Sequence, residues 1–401
     1  METEKVKRVY EGVLQRHLAE DRQMIFISGP RQVGKTTLSG VFSTAAINWD
    51  DSDQRRLVLA GEKATAEFAG IDQPTESLPV LALDEIHHYK GWKNFLKGLF
   101  DSYQSRMRIL VTGSARLDVY KKGGDSLMGR YFPYRMHPLS VGELLHVDLK
   151  DEEIRAPSLI PEEQWSGLWS FGGFPEPFAR RNRGFLGRWQ RLRLEQLVRG
   201  DIRNSTKIVE LDQVDSLARI LLERSGEQVV FSSLSGDVRV SEVTVREWIS
   251  TLNSFYLGFY VRPWSKHVAN ALKKTPKWYS RDWSYCEDEG KRAETFVACH
   301  LLKAVEFWTD CGLGEYNLYY IRDRQKNEVD FLVSRGREPW FLVEVKTGDT
   351  HLSPTLKRMQ DAIGVKHAFQ VVLNLPYEQI DCFAYNEPIV VPAKTFLSQL
   401  V

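Results

Sequence analysis

The sequence predicts an α/β chain whose 401 residues suffice for two or three domains. Three observations carry this. Met24-Ile25-Phe26-Ile27 is a short apolar run that leads into the glycine-rich turn Gly29-Pro30-Arg31-Gln32-Val33-Gly34-Lys35-Thr36. Leu78-Pro79-Val80-Leu81-Ala82-Leu83 is a second apolar run and closes on the adjacent acids Asp84 and Glu85. Far downstream, two strand-like segments carry Asp330, Glu344 and Lys346.

The turn at 29–36 is the complete phosphate-loop pattern G-x-x-x-x-G-K-[ST]. Strand, glycine turn and helix N-terminus together cradle a nucleotide's phosphates. Gly29 and Gly34 let the backbone approach the anion, and Pro30, Arg31, Gln32 and Val33 complete the loop. Thr37-Leu38-Ser39 opens the helix. Lys35 is placed to reach the β- and γ-phosphates of ATP, and the Thr36 hydroxyl to ligate Mg²⁺. Ile47-Asn48-Trp49-Asp50-Asp51 predicts a second strand ending in acids. The run ending at Asp84 and Glu85 is a Walker B pattern, with Asp84 holding Mg²⁺ through water and Glu85 polarising the attacking water. Arg108 to Val111 predicts a further strand, whose polar end lies between the two Walker strands. Ser114 or Thr112 there can sense the γ-phosphate, with Ser114 the slightly preferred choice. Arg130 or Arg116 is the candidate arginine finger, acting on a neighbouring copy, so a homo-oligomer is expected.

The motifs in this order resemble the AAA+-like ATPases that carry a C-terminal DUF4143 domain. The resemblance rests on residues 29–37, on Leu83-Asp84-Glu85-Ile86-His87 and on Val111-Thr112-Gly113-Ser114-Ala115-Arg116. It continues through Leu127-Met128-Gly129-Arg130, Pro138-Leu139-Ser140-Val141-Gly142-Glu143 and Phe171-Gly172-Gly173-Phe174-Pro175-Glu176. It implies an ATPase domain over residues 1–155, with ATP and Mg²⁺ as cofactors.

Composition narrows the class without naming a partner. The 54 basic and 53 acidic residues leave a net charge of +1, so only local patches can speak for nucleic acid. Cys286, Cys299, Cys311 and Cys382 lie far apart, which argues against a zinc cluster and a disulfide framework. The charged start, Met1-Glu2-Thr3-Glu4-Lys5, is not a secretory signal, and no apolar run is long enough to span a membrane. A cytoplasmic protein is expected.

Residues 156–284 predict a helical and winged-helix domain. Arginines crowd 178–207, and Leu186, Trp189, Leu192 and Leu197 recur at near-helical spacing. This predicts an amphipathic helix with a basic face, suited to a phosphate backbone or simply to solvent. Helices are expected at 214–222, from Phe231, and from the N-cap Ser241. Strands at 259–262 and 277–279 then form a hairpin. Thr244, Arg246 and Asn253 on the third helix are the candidate DNA contacts. Such modules also serve as packing units and as lids on ATPases.

In residues 285–401, Glu328-Val329-Asp330-Phe331-Leu332-Val333 and Trp340-Phe341-Leu342-Val343-Glu344-Val345-Lys346 alternate as strands. A period of two puts Glu344 and Lys346 on one face. Glu294 sits on a preceding predicted helix. Asp330, Glu344 and Glu294 are candidate Mg²⁺ ligands, with Lys346 beside the attacking water. The set resembles the PD-(D/E)xK core of restriction-endonuclease-like folds, with Val329 where the motif's proline stands and Gln360 on the following helix. The expectation is an ATP-dependent enzyme that cleaves DNA, structured or branched DNA included. The alternative is a nucleotide-gated regulator that binds DNA or protein through a non-cutting nuclease fold.

Overall fold

Five parallel strands build the N-terminal sheet. They are β1 (Met24–Ser28), β2 (Ala45–Asn48), β3 (Val80–Asp84), β4 (Arg108–Gly113) and β5 (Tyr131–Arg135), in the order β2-β3-β4-β1-β5. The computed structural model describes residues 6–73, 77–113, 127–265, 275–323 and 325–401. They divide into two compact units: residues up to His137 with Val147–Leu149, and Pro138–His146 with Lys150–Val401.

In the first unit β1, β3 and β4 are almost wholly buried. Parallel strands covered on both faces carry such continuous apolar runs. The helices flanking the sheet include α1 (Val9–Glu20), α2 (Lys35–Phe42) and α3 (Trp92–Tyr103). Helix α3 buries Trp92, Phe95, Leu96, Leu99 and Phe100, the spacing of one helical face, in a core shared with Phe26, Leu83 and Val111. Strand β4 lies between β1 and β3, as the sequence predicts. Because all three run parallel, the turns after Ser28 and Asp84 leave the sheet at the same edge. The strand expected at 47–51 ends at Asn48. Asp51 instead caps the next helix, accepting the N–H groups of Asp53 and Gln54.

The second unit holds a seven-stranded mixed sheet. Its strands are β6 (Gly258–Pro263), β7 (Lys277–Ser280), β8 (Tyr316–Arg322), β9 (Glu328–Arg335), β10 (Glu338–Lys346), β11 (His367–Val372) and β12 (Ile389–Pro392). The order is β12-β11-β10-β9-β8-β6-β7. Three helices precede the β6–β7 hairpin: α4 (Leu211–Glu223), α5 (Phe231–Val238) and α6 (Glu242–Ser254), the last capped by Ser241. The hairpin does not stand apart, because β6 pairs with β8 and extends the C-terminal sheet. Helix α7 (Glu289–Asp310) and helix α8 (Pro354–Ile363) pack on that sheet.

The arginine-rich helix spans Arg183–Glu195 and continues as a π-helical stretch, Gln196–Ile202. Leu186 and Trp189 are buried as expected, but Leu192 is 52% exposed. Arg193 takes the inward place four residues after Trp189, its guanidinium 4.0 Å above the Phe174 ring. Arg183, Arg188, Arg191 and Arg199 are exposed. Among the described residues, no helix is long and apolar enough to cross a membrane.

Candidate functional site

The phosphate loop is shaped by backbone that only particular residues adopt. Gly29 has φ 155°, and a Cβ there would lie 2.3 Å from the Met136 carbonyl oxygen. Gly34, at φ 105°, is the N-cap of α2. Lys35 opens α2 and is buried, its Nζ donating to the carbonyls of Gly29 at 2.9 Å and Pro30 at 2.8 Å. The ammonium therefore sits across the loop, the place required for phosphate contact. Arg8 braces the loop from behind. Its Nη1 donates to Val33 O at 2.8 Å and its Nη2 to His137 O at 2.6 Å. A lone arginine upstream of β1 gave no motif by which sequence reasoning could find it.

Thr36, Asp84 and Thr112 converge from α2, β3 and β4. Thr36 Oγ1 donates to Asp84 Oδ2 at 2.8 Å, and Thr112 Oγ1 donates to Asp84 Oδ1. A hydroxyl and a carboxylate at this spacing suit a hard divalent cation such as Mg²⁺. Of the two sensor candidates, Thr112 is thus placed on the Walker B acid. Ser114 and Arg116 lie outside the described residues.

Glu85 occupies the left-handed region at φ 53°, uncommon for a residue with a Cβ. Its N–H donates to Thr112 O at 3.1 Å. Burial and the neighbouring Asp84 carboxylate push its pKa up, opposed by Lys35 and Arg31. His87 Nε2 lies 3.4 Å from Glu85 Oε2. Arg130 precedes β5, beside the N-terminal end of β1 and hence across the sheet from the phosphate loop. Asp101 holds it by two hydrogen bonds, of 2.7 and 3.0 Å.

In the second unit, β9, β10 and α7 bring Asp330, Glu344, Lys346 and Glu294 into one cluster. Asp330 Oδ2 accepts the Val345 N–H at 2.8 Å. Burial, then Glu294 and Glu344, drive the Asp330 pKa well above the carboxylate range. Lys346 Nζ donates to Glu344 Oε1 at 2.8 Å. The other Glu344 oxygen, Oε2, is buried with no hydrogen-bond partner among the described residues. Gln360 donates its amide to the carbonyls of Lys366 and Asn386 and so anchors α8.

Lys277 is the residue that sequence reasoning missed. It enters from β7 with its side chain only 6% exposed. Its Nζ lies 2.8 Å from Glu294 Oε1, 2.6 Å from Glu328 Oε1 and 3.8 Å from Asp330 Oδ1. Burial pulls its pKa down, but Glu294, Asp330 and Glu328 outweigh that and hold it above the ordinary lysine value. Glu294 also accepts the Tyr279 hydroxyl at 2.6 Å. A lysine ahead of an apolar pair is unremarkable in sequence; only strand pairing brings it among the acids.

The DNA candidates on α6 divide in the same way. Arg246 is exposed, 3.6 Å from the Phe231 ring centroid and 3.8 Å from Glu242. Thr244 shares a hydrogen bond with the cap residue Ser241. Asn253 Oδ1 accepts the Trp278 indole N–H at 2.8 Å and ties α6 to the hairpin.

Residues 21–145 match an AAA domain family, 162–287 a domain of unknown function (DUF8612), and 289–395 another (DUF4143). An uncharacterized protein of Mycobacterium tuberculosis is 21% identical over 351 residues, covering 83% of this chain and 73% of that protein. One from Haemophilus influenzae is 23% identical over 211 residues, half of each chain. Among solved structures, the Aeropyrum pernix ORC1 protein in complex with DNA aligns at TM-score 0.32 and 10% identity, over 74% of this chain and 93% of its own. PCH-2 of C. elegans aligns at TM-score 0.25 and 12% identity, over 60% and 66%. The N-terminal part of this chain, with its phosphate loop and central parallel sheet, is thus similar to AAA-type P-loop ATPase domains, and its C-terminal part is similar to DUF4143 domains.

Proposed function

We propose that the protein is a Mg²⁺-dependent ATP hydrolase that processes DNA, and that the acid–lysine cluster of its second unit cleaves phosphodiester bonds. For hydrolysis, the observation that carries the reading is the Thr36–Asp84–Thr112 convergence beside Lys35 and Glu85. Lys35 binds the β- and γ-phosphates, Thr36 and Asp84 hold the cation, and Glu85 takes the proton of the attacking water. A bound Mg²⁺ supplies charge neutralisation on the phosphate oxygens. Arg130, distant from its own loop, is suited to act on a neighbouring copy in a homo-oligomer.

For cleavage, the supporting observation is Glu344, a residue 8% exposed, whose carboxylate has one oxygen without a hydrogen-bond partner among the described residues, in the cluster with Asp330 and Lys346. We read residues 1–155 as the ATPase, 156–284 as a winged-helix module and 285–401 as a nuclease-like domain. DNA is the partner suggested by the exposed arginines of the 183–195 helix and by Arg246.

Lys277 favours a second reading. An ammonium already within reach of three carboxylates balances much of their charge, as a non-cutting regulator requires. One assay separates the two. Pure protein is incubated with single-stranded, duplex and branched DNA, with Mg²⁺ or Mn²⁺, and with or without ATP. Cleavage that disappears in Asp330→Ala supports the enzyme; DNA binding without cleavage supports the regulator.

A further inference from the structure

Two ammonium groups divide the acidic cluster unequally. Lys346 takes one oxygen of Glu344. Lys277 takes Glu294 and Glu328, and Tyr279 adds a second donor to the same Glu294 oxygen. Asp330 gives Oδ2 to the Val345 N–H, while Oδ1 stays 3.8 Å from Lys277, beyond hydrogen-bond range. Among the described residues, Glu344 Oε2 is left buried without a donor. A carboxylate oxygen in that position calls for a cation or an ordered water.

We infer that this is a one-cation centre, in which Asp330 and Glu344 Oε2 bind a single oxygen-seeking divalent cation and Lys277 is the built-in second cation that withholds Glu294 and Glu328 from metal. The inference rests on reading the cluster as a metal-dependent phosphodiester site. Two-metal centres hold their ions about 3.5–4 Å apart around shared carboxylates. Lys277 Nζ lies among the carboxylates that a second ion would need. Its backbone is held by the pairing of β7 with β6 and by the bridge from Gln228 to Lys277, and its ammonium by Glu294 and Glu328. An ammonium supplies one positive charge and no coordination sites, so it stabilises the acids without activating water.

The test is Mn²⁺ binding to the full chain without nucleotide, by calorimetry and by counting bound ions. Glu344→Gln defines which ion belongs to this cluster. Wild type is expected to bind one Glu344-dependent Mn²⁺. Lys277→Met is expected to bind two, or to bind the first at least tenfold more tightly, and Lys277→Arg to behave as wild type. Should Lys277→Met prove unstable, its melting temperature is expected to recover on adding Mn²⁺, and not to recover in Lys277→Met/Glu344→Gln. One ion of unchanged affinity in Lys277→Met, or no such recovery in an unstable Lys277→Met, overturns the role of Lys277 while leaving the metal site standing. Two Glu344-dependent ions in wild type overturn it equally. No Glu344-dependent ion in any variant removes the metal-site reading itself.

Discussion

Thr36 Oγ1 donates to Asp84 Oδ2 at 2.8 Å, joining the first turn of α2 to the end of β3. Strand β4, between β1 and β3, adds Thr112 to the other Asp84 oxygen. The end of the phosphate loop and the acid that closes β3 are therefore direct neighbours.

Lys35→Ala is expected to abolish ATP hydrolysis, since it removes the positive charge from a site built around anions. Glu85→Gln is expected to leave ATP affinity nearly unchanged while turnover falls by about 10²-fold or more. Nucleotide binding by calorimetry and phosphate release check both. Wild-type turnover in Glu85→Gln removes Glu85 from the role of base.

Activity is expected to depend on assembly. Turnover per chain should rise with protein concentration, and Arg130→Ala should lower it without weakening ATP binding. Mixing Lys35→Ala with Arg130→Ala should restore part of the hydrolysis, because each supplies what the other lacks. A monomer with full turnover at high dilution rules this out.

DNA cleavage is expected to disappear in Asp330→Ala, Glu344→Ala and Lys346→Ala, with ATP hydrolysis retained in each. Mn²⁺ should replace Mg²⁺, while Ca²⁺, with its larger and looser coordination, should support binding with little cutting. Lys346→Ala should keep metal affinity and lose rate, as it contributes charge near the developing oxyanion. Wild-type cleavage and metal affinity in Asp330→Ala would end the nuclease reading.

His300 predicts how stability responds to acid. Its ring is buried, accepting the Val141 N–H at Nε2 (3.0 Å), with Nδ1 2.8 Å from Phe296 O. Burial lowers its pKa to about 3, whereas the unfolded chain titrates near 6.5. The unfolded state thus binds more protons between these values, so stability is lost as pH falls below about 6.5. The slope from this group is at most about 1.4 kcal/mol per pH unit. Melting curves of His300→Gln, which still offers Val141 an acceptor, should fall less steeply with acid than those of wild type.

Asn253 and Arg246 should separate folding from binding. Asn253→Ala strands the Trp278 indole N–H and is expected to cost about 1–3 kcal/mol in denaturant unfolding. Arg246→Ala should cost at most about 1 kcal/mol, the scale of its exposed contact with the Phe231 ring, and weaken DNA binding alike for all sequences. A stable Asn253→Ala with reduced DNA affinity would reverse this assignment.

The sequence by itself determined the features that depend on neighbours along the chain. Loop glycines, strand alternation and caps are local, so the phosphate loop, the Asp84–Glu85 strand end, the Ser241 cap and the Asp330/Glu344/Lys346 pattern were legible in order. Tertiary structure alone decided what depends on distant partners. Arg8 reaches the loop only through packing, and Asn253 turned inward because Trp278 presented a buried donor. Arg193 displaced Leu192 from the inner face because aromatic rings offered its guanidinium a place. Lys277 joined the acids because β6 paired with β8 and brought β7 to the sheet. A lone charged residue carries no pattern; its environment is set when strands from separate segments come together.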